Sequence, residues 1–172
     1  MDNQTIRDML QAQFPQAIVD VSERLGDLSV TLRREHLLAV VGFLRDHPDA
    51  PYDFLEHLSG VDYLGRTPRF EVVIHLMSLR YLHRICLKVT APEDDPHVPS
   101  LTPLYPTANY QERETWDLLG IVFDGHPSLK RILMPDDWIG HPQRKDHPLG
   151  EEEVAFTFNQ ERIYAQKPFA KE

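Results

Sequence analysis

Hydrophobic and polar positions along this chain follow two periods, and the switches between them mark its elements. Ile6, Met9, Leu10 and Phe14 repeat at helical spacing, which predicts a helix over residues 3–14. Ile18 to Val21, then Leu28, Val30 and Leu32, read as two short strands joined by a turn at Gly26-Asp27. Leu37, Leu38, Val41 and Leu44 form an i, i+1, i+4, i+7 stripe, so residues 34–46 are expected to be an amphipathic helix. A short helix is expected at Asp53 to Leu58, closed by Gly60. Strict alternation then takes over. Phe70, Val72, Ile74 and Leu76 share one face of a strand, and Tyr81, His83, Ile85, Leu87 and Val89 share a face of the next, with a tight turn near Ser78 to Arg80.

After Thr90 the texture changes. The stretch from Ala91 to Thr107 is acidic and Pro-rich and reads as a long loop. Asn109 is placed to cap a helix with Glu112 at its N3 position, Trp116 and Leu119 face one way along that helix, and Gly120 ends it. Pro127, Pro135, Gly140, Pro142 and Pro148 then prevent long regular structure. Ile132, Leu133, Trp138, Ile139, Phe156, Phe158, Tyr164 and Phe169 still supply apolar anchors without a periodic face. Such a segment is expected to lie across another surface, on this domain or on a partner. The predicted architecture is an α+β fold: a two-layer domain over residues 1–125, with a mixed β-sheet and helices on one face. An extended Pro-rich docking arm follows over residues 126–172.

Composition sharpens this picture by exclusion. The 172 residues suit one ordinary domain plus extensions. Nine of the 14 prolines lie between Pro92 and Pro148, which makes the first ninety residues the expected folded body. A net charge of −9 argues against nucleic acid as a partner and against direct adhesion to an anionic leaflet. The longest apolar run, Leu37 to Leu44, is far short of the ~20 residues a membrane helix needs. The polar, acidic start of the chain fits neither a secretory signal nor a transit peptide, so the cytosol is the expected compartment. One cysteine, Cys86, excludes an internal disulfide and a four-thiolate iron–sulfur cluster.

Candidate chemistry is concentrated in residues 112–149, where each reactive reading has a structural rival. His126, His141 and His147 with Asp124, Asp136, Asp137 and Asp146 are metal-ligand types, but no pair has the spacing of one helical face and Pro follows each histidine. Glu112 and Glu114 are separated so that a helix would point them apart, and acids in a first turn favour the macrodipole. Cys86 lies in a strand without a nucleophile signature, and no Gly-rich phosphate loop is present. His75 and His83 fall in strands, where hydrogen-bonded structural histidines are usual. Lys130-Arg131 and Arg144-Lys145 read equally as salt-bridging pairs for an acidic partner or as solvated charge.

One ordered pattern is specific. Glu112-Arg113-Glu114, two residues, Asp117-Leu118-Leu119, six residues, His126, three residues, Lys130, one residue and Ile132-Leu133 together resemble the signature of the 30-kDa-type subunit of the proton-pumping NADH:quinone oxidoreductase, respiratory complex I. Asp137-Trp138-Ile139-Gly140-His141-Pro142 and Arg144-Lys145-Asp146 resemble that family's extension, in which Leu is common at position 143 and an aromatic at 147, where this chain has Gln143 and His147. The resemblance covers essentially the whole chain, with ends where a stand-alone bacterial subunit would end.

The resemblance implies a subunit without flavin, cluster or quinone site of its own, in the hydrophilic arm on the cytoplasmic side of the inner membrane. It implies docking on the hydrogenase-like large subunit, with FMN and iron–sulfur clusters in partner subunits and no metal on this chain. Structural and docking roles are carried over to Glu112, Arg113, Glu114, Asp117, His126, Lys130, Asp137, Trp138, His141, Arg144, Lys145 and Asp146, with Ile132, Leu133 and Gly140 completing the match. Trp138 and Arg144 are the expected anchors, since aromatic and Arg side chains dominate interface energetics. Two rival readings remain. One is the equivalent subunit of a membrane-bound hydrogenase or ferredoxin-driven complex; the other is a small metal-dependent hydrolase using His126, His141 and aspartates.

Overall fold

The computed structural model describes residues 2–147 and 156–166. Helix α1 (Asn3–Gln13) starts where the Asp2 carboxylate accepts the Thr5 N–H at 2.9 Å, and it buries Ile6 and Leu10. Strands β1 (Ile18–Arg24) and β2 (Asp27–Leu32) form a hairpin whose two turn residues, Leu25 and Gly26, both have positive φ (56° and 90°), the geometry a two-residue connection needs. A single 3-10 turn, Arg34–His36, leads into α2 (Leu37–Arg45), which buries Leu37, Val40, Val41 and Leu44.

Strands β3 (Phe54–Asp62), β4 (Phe70–Ser78) and β5 (His83–Ala91) complete a five-stranded sheet in the order β1-β2-β5-β4-β3. Strands β2 and β5 run parallel and the other neighbours antiparallel, so the sheet is mixed. Its core face presents Val30, Leu87, Ile74 and Leu58 in one cross-strand row, and α1, α2 and the later helix over residues 108–119 contribute to the same apolar cluster. The α+β class, the mixed sheet and the helical layer agree with the pattern of the sequence.

Four expectations are corrected. The segment expected to be a short helix at Asp53 to Leu58 is strand β3. A bulge between Leu55 and His57 puts Glu56 out of register, so Leu55 and Leu58 both face the core at a spacing that mimics a helix. Gly60 does not close a helix; it lies beneath α3 (Ala108–Leu119), where a Cβ would come 2.6 Å from Leu119 Cδ1 and 2.8 Å from Thr115 Cγ2. The turn after β4 is longer than expected. Tyr81 lies in it rather than in a strand, and the Leu82 N–H donates to the Ser78 carbonyl.

The Pro-rich stretch is not simply a loop, because β6 (His97–Pro99) pairs in parallel with β7 (Val122–Asp124). Leu101, Tyr105, Ala108, Ile121 and Phe123 enter the core, so the folded body extends well past residue 90. From Gly125 to His147 the chain has no helix or strand and returns across α3. Helix α4 (Gln160–Gln166) follows Phe156 and Phe158, whose exposed rings stack at 5.6 Å. Of the last twenty residues, expected to need a partner for order, 153–155 and 167–172 lie outside the described ones, as does the side chain of Tyr164. No helix among the described residues is long and apolar enough to cross a membrane.

Candidate functional site

Four of the signature residues, Arg113, Asp117, His141 and Arg144, meet at the seam where the arm crosses α3. At its centre is Asp117, whose side chain is fully buried. One carboxylate oxygen accepts the N–H groups of Ile132, Leu133 and Met134 at 2.9, 2.8 and 2.9 Å, and the other accepts Arg131 Nη1 at 2.6 Å. Burial alone would raise its pKa. The backbone donors of Met134 and Ile132, the Arg131 guanidinium and the Leu133 N–H outweigh that and hold it down at about 2. Asp117 is therefore a permanent anion, and three consecutive N–H groups wrap it as they would a bound phosphate.

Arg131 does more than neutralise it. Its second nitrogen donates to the carbonyls of Trp138 and Gly140 at 2.8 and 3.0 Å, and its guanidinium lies 5.7 Å from the centre of the Trp116 ring. His141 Nδ1 lies 2.9 Å from the Asp117 carbonyl, and its ring meets Trp116 edge-on at 6.2 Å. Burial and the nearby Arg144 and Arg131 push the His141 pKa down, so the neutral ring donates its Nδ1 proton to that carbonyl.

Gly120 closes α3 in the left-handed region (φ 76°) and permits this crossing: a Cβ there would come 2.5 Å from His141 and 2.6 Å from Arg144. Arg144 donates to the Leu119 carbonyl at 2.7 Å, satisfying one of the helix's orphan C-terminal acceptors, and stacks over Phe70 at 5.1 Å.

A second fastening lies further along. Arg69 and Asp62 pair through both guanidinium branches at 2.8 and 2.7 Å with side chains 3% and 2% exposed. Glu93 and Asp146 join the same guanidinium, and the Lys145 N–H donates to Asp62 at 2.8 Å. The Arg69 hydrogen bonds hold the pKa of Asp62 and of Asp146 below the usual carboxylate value.

Glu112 is fully buried on the inner side of α3. Its carboxyl accepts Ser100 Oγ and the Leu101 N–H, both at 2.6 Å, and burial pushes its pKa up to about 7. The capping role expected for Asn109 and Glu112 is thus corrected. The helix begins at Ala108 without a side-chain cap, and Glu112 fastens the chain that precedes it.

Arg113 donates to the carbonyls of Lys130 and Arg131 at 3.1 and 3.0 Å. The His126 ring uses both nitrogens, Nε2 at the Asn109 carbonyl and Nδ1 accepting the Ser128 N–H. Glu114, Lys130 and Asp137 point outward. Trp138 is half-buried with its Nε1 unpartnered, and its ring meets the His147 ring edge-on at 6.4 Å. Among the described residues no three metal-type side chains converge on one point. Cys86 is buried on the opposite sheet face beside His75, and burial raises its pKa, which suits neither a nucleophile nor a cluster ligand.

The sequence pattern places the signature correctly on α3 and the arm but misses three partners. Arg131 occupies the single-residue gap of the motif, and the charge it binds lies 14 residues earlier in the chain. Asp62 and Arg69 carry no local signal, because their role exists only once β3 and β4 are paired and the arm has returned.

The geometry defines a class first: a small α+β domain that clamps its own extended arm through charge-bearing helix residues. Comparison supplies the particular family. The family described as respiratory-chain NADH dehydrogenase, 30 Kd subunit, matches residues 30–153. An NADH-quinone oxidoreductase subunit of Roseiflexus castenholzii is 64% identical over 172 residues, covering 100% of this chain and 99% of that protein. The structure of a trypsin-resistant fragment of Nqo5 is 34% identical and superposes with a TM-score of 0.64 over 73% of this chain and 99% of its own. A chain of the membrane-bound sulfane sulfur reductase, an archaeal respiratory membrane complex, shares the fold at a TM-score of 0.72 with 20% identity over 85% of each chain. The chain belongs to the 30 Kd subunit family of respiratory-chain NADH dehydrogenase.

Proposed function

We propose that this chain is a peripheral, non-catalytic subunit of a proton-translocating NADH:quinone oxidoreductase. It docks on the hydrogenase-like large subunit at the cytoplasmic side of the membrane. FMN and the iron–sulfur clusters reside in partner subunits, and this chain holds their electron path in place. The observation that carries the reading is the use of the signature. Glu112, Asp117, Arg113, His126, His141 and Arg144 are engaged in holding backbone, so the acid–base groups are structural fasteners. A single buried Cys86 with a raised pKa does not fit a cluster-binding set. The family relationship favours the NADH-linked complex, since the likeness to the sulfur-reductase chain extends to fold alone.

Affinity purification through a tag on this chain tests the proposal. The expected result is co-elution of the flavin- and cluster-bearing subunits with NADH:quinone activity, while the isolated chain shows no visible absorption. A flavin or cluster spectrum in the isolated chain, or full activity in a strain lacking it, would contradict the reading.

A further inference from the structure

Residues 131–141 form a loop closed on a single residue, Asp117. At one end the N–H groups of Ile132, Leu133 and Met134 sit on Asp117, and at the other His141 binds the Asp117 carbonyl. Arg131 ties the two ends together, holding Asp117, the Trp138 carbonyl and the Gly140 carbonyl at once. The loop is thus shaped before any partner arrives, which lowers the ordering cost of binding.

Its outward side is unusual for a segment so firmly held. Ile139 is 92% exposed, Leu133 60% and Ile132 37%, and the exposed Asp136 and Asp137 lie between them. No Lys or Arg occurs from Ile132 to Gly140, and the adjacent cation, Arg131, is turned inward on Asp117. Among the described residues neither Asp136 nor Asp137 has an ion-pair partner, so the display is two negative charges flanked by large apolar side chains.

We propose that residues 132–139 are a preformed knuckle that seats in an apolar depression rimmed by Lys and Arg on a neighbouring protein subunit. The inference rests on the docking reading above and names the chemistry of the partner surface. Charge selects this occupant over two others. An anionic lipid surface would repel Asp136 and Asp137. A two-fold contact between copies would place the same acidic loop against itself. A basic-rimmed protein surface pairs the two carboxylates and buries Leu133 and Ile139 together.

The test replaces Ile139 with the photo-crosslinking residue p-benzoylphenylalanine in cells making the whole complex, with Lys130 replaced likewise as a second arm position. Adducts are identified by mass spectrometry. The proposal expects the probe at 139 to label a Lys- or Arg-containing, apolar peptide of another subunit. Labelling at 130 but not at 139, or labelling of a second copy or of lipid at 139, overturns the knuckle while leaving arm docking intact. No protein adduct at either position removes both readings.

Reversing charge with Asp136→Lys and Asp137→Lys should cut incorporation into the complex at least tenfold. Because both positions are exposed, the free subunit should melt unchanged. Unaltered incorporation and unaltered salt dependence would overturn the basic rim.

Discussion

Replacing Asp117 with Ala should open the arm without dissolving the sheet. The magnitude follows from two routes. The carboxyl has its pKa lowered from 3.8 to about 2, which corresponds to about 2 kcal/mol favouring the charged form in the fold. Removal also strands Arg131 and three backbone N–H groups at a seam where the Asp117 side chain is 0% exposed. Breaking a buried pair in that way costs roughly 3–5 kcal/mol. A loss of about 2–5 kcal/mol raises the opened fraction of the arm by roughly 30- to 5,000-fold.

Limited trypsin digestion reads this directly, because Lys130, Arg131, Arg144 and Lys145 all lie on the seam segment. When closing outpaces cleavage, the cutting rate follows the open population. The sign with pH is also fixed. A depressed carboxyl pKa gives a contribution present above about pH 4 and lost as pH falls toward 2, so protection at pH 7–8 is full in the unaltered chain. Equal cleavage rates at Lys130 and Arg131 in Asp117→Ala and in the unaltered chain would refute the reasoning.

Three further outcomes follow. Glu112, whose pKa burial raises from 4.5 to about 7, stabilises the fold fully below its ordinary pKa and progressively less as pH rises through 7. Glu112→Gln should therefore flatten a loss of about 3 kcal/mol between pH 4.5 and 7, measured by urea unfolding. Gly60→Ala should cost about 1–3 kcal/mol by thermal melting, because the added methyl meets Leu119, Thr115 and Ile121 at 2.6 to 3.0 Å. Arg69→Met should leave Asp62 buried without its cation and cost roughly 3–5 kcal/mol; a change below about 1 kcal/mol would mean that Asp62 is solvated in solution.

The elements with an unbroken period are legible in the sequence. Strand β4 and most of β5 alternate strictly, and α2 carries a full helical stripe, so their apolar residues alone specify which side is buried. Strand β3 is not legible because a bulge breaks its period and leaves Leu55 and Leu58 at helical spacing. Glu112 misleads for a different reason. A Glu three residues after Asn looks like a capping box, and its true partners, Ser100 and Leu101, become neighbours only when β6 and β7 pair.

The arm shows the same limit. Its motif is visible as an ordered pattern of charged residues, but the direction in which each charge faces depends on the return of the chain over α3. Arg144 and His141, whose chemistry suits a partner surface, are instead engaged with carbonyls of α3. The outward set is smaller and more apolar, with Ile139 and Leu133 at its centre.

The most direct measurement is a structure of the assembled oxidoreductase set beside that of the free chain. Residues 132–139 should lose their exposure against a neighbouring subunit while the Ile132, Leu133 and Met134 N–H groups remain on Asp117. A loop still facing solvent in the complex, or an arm peeled from α3 with Asp117 bound elsewhere, would contradict that picture.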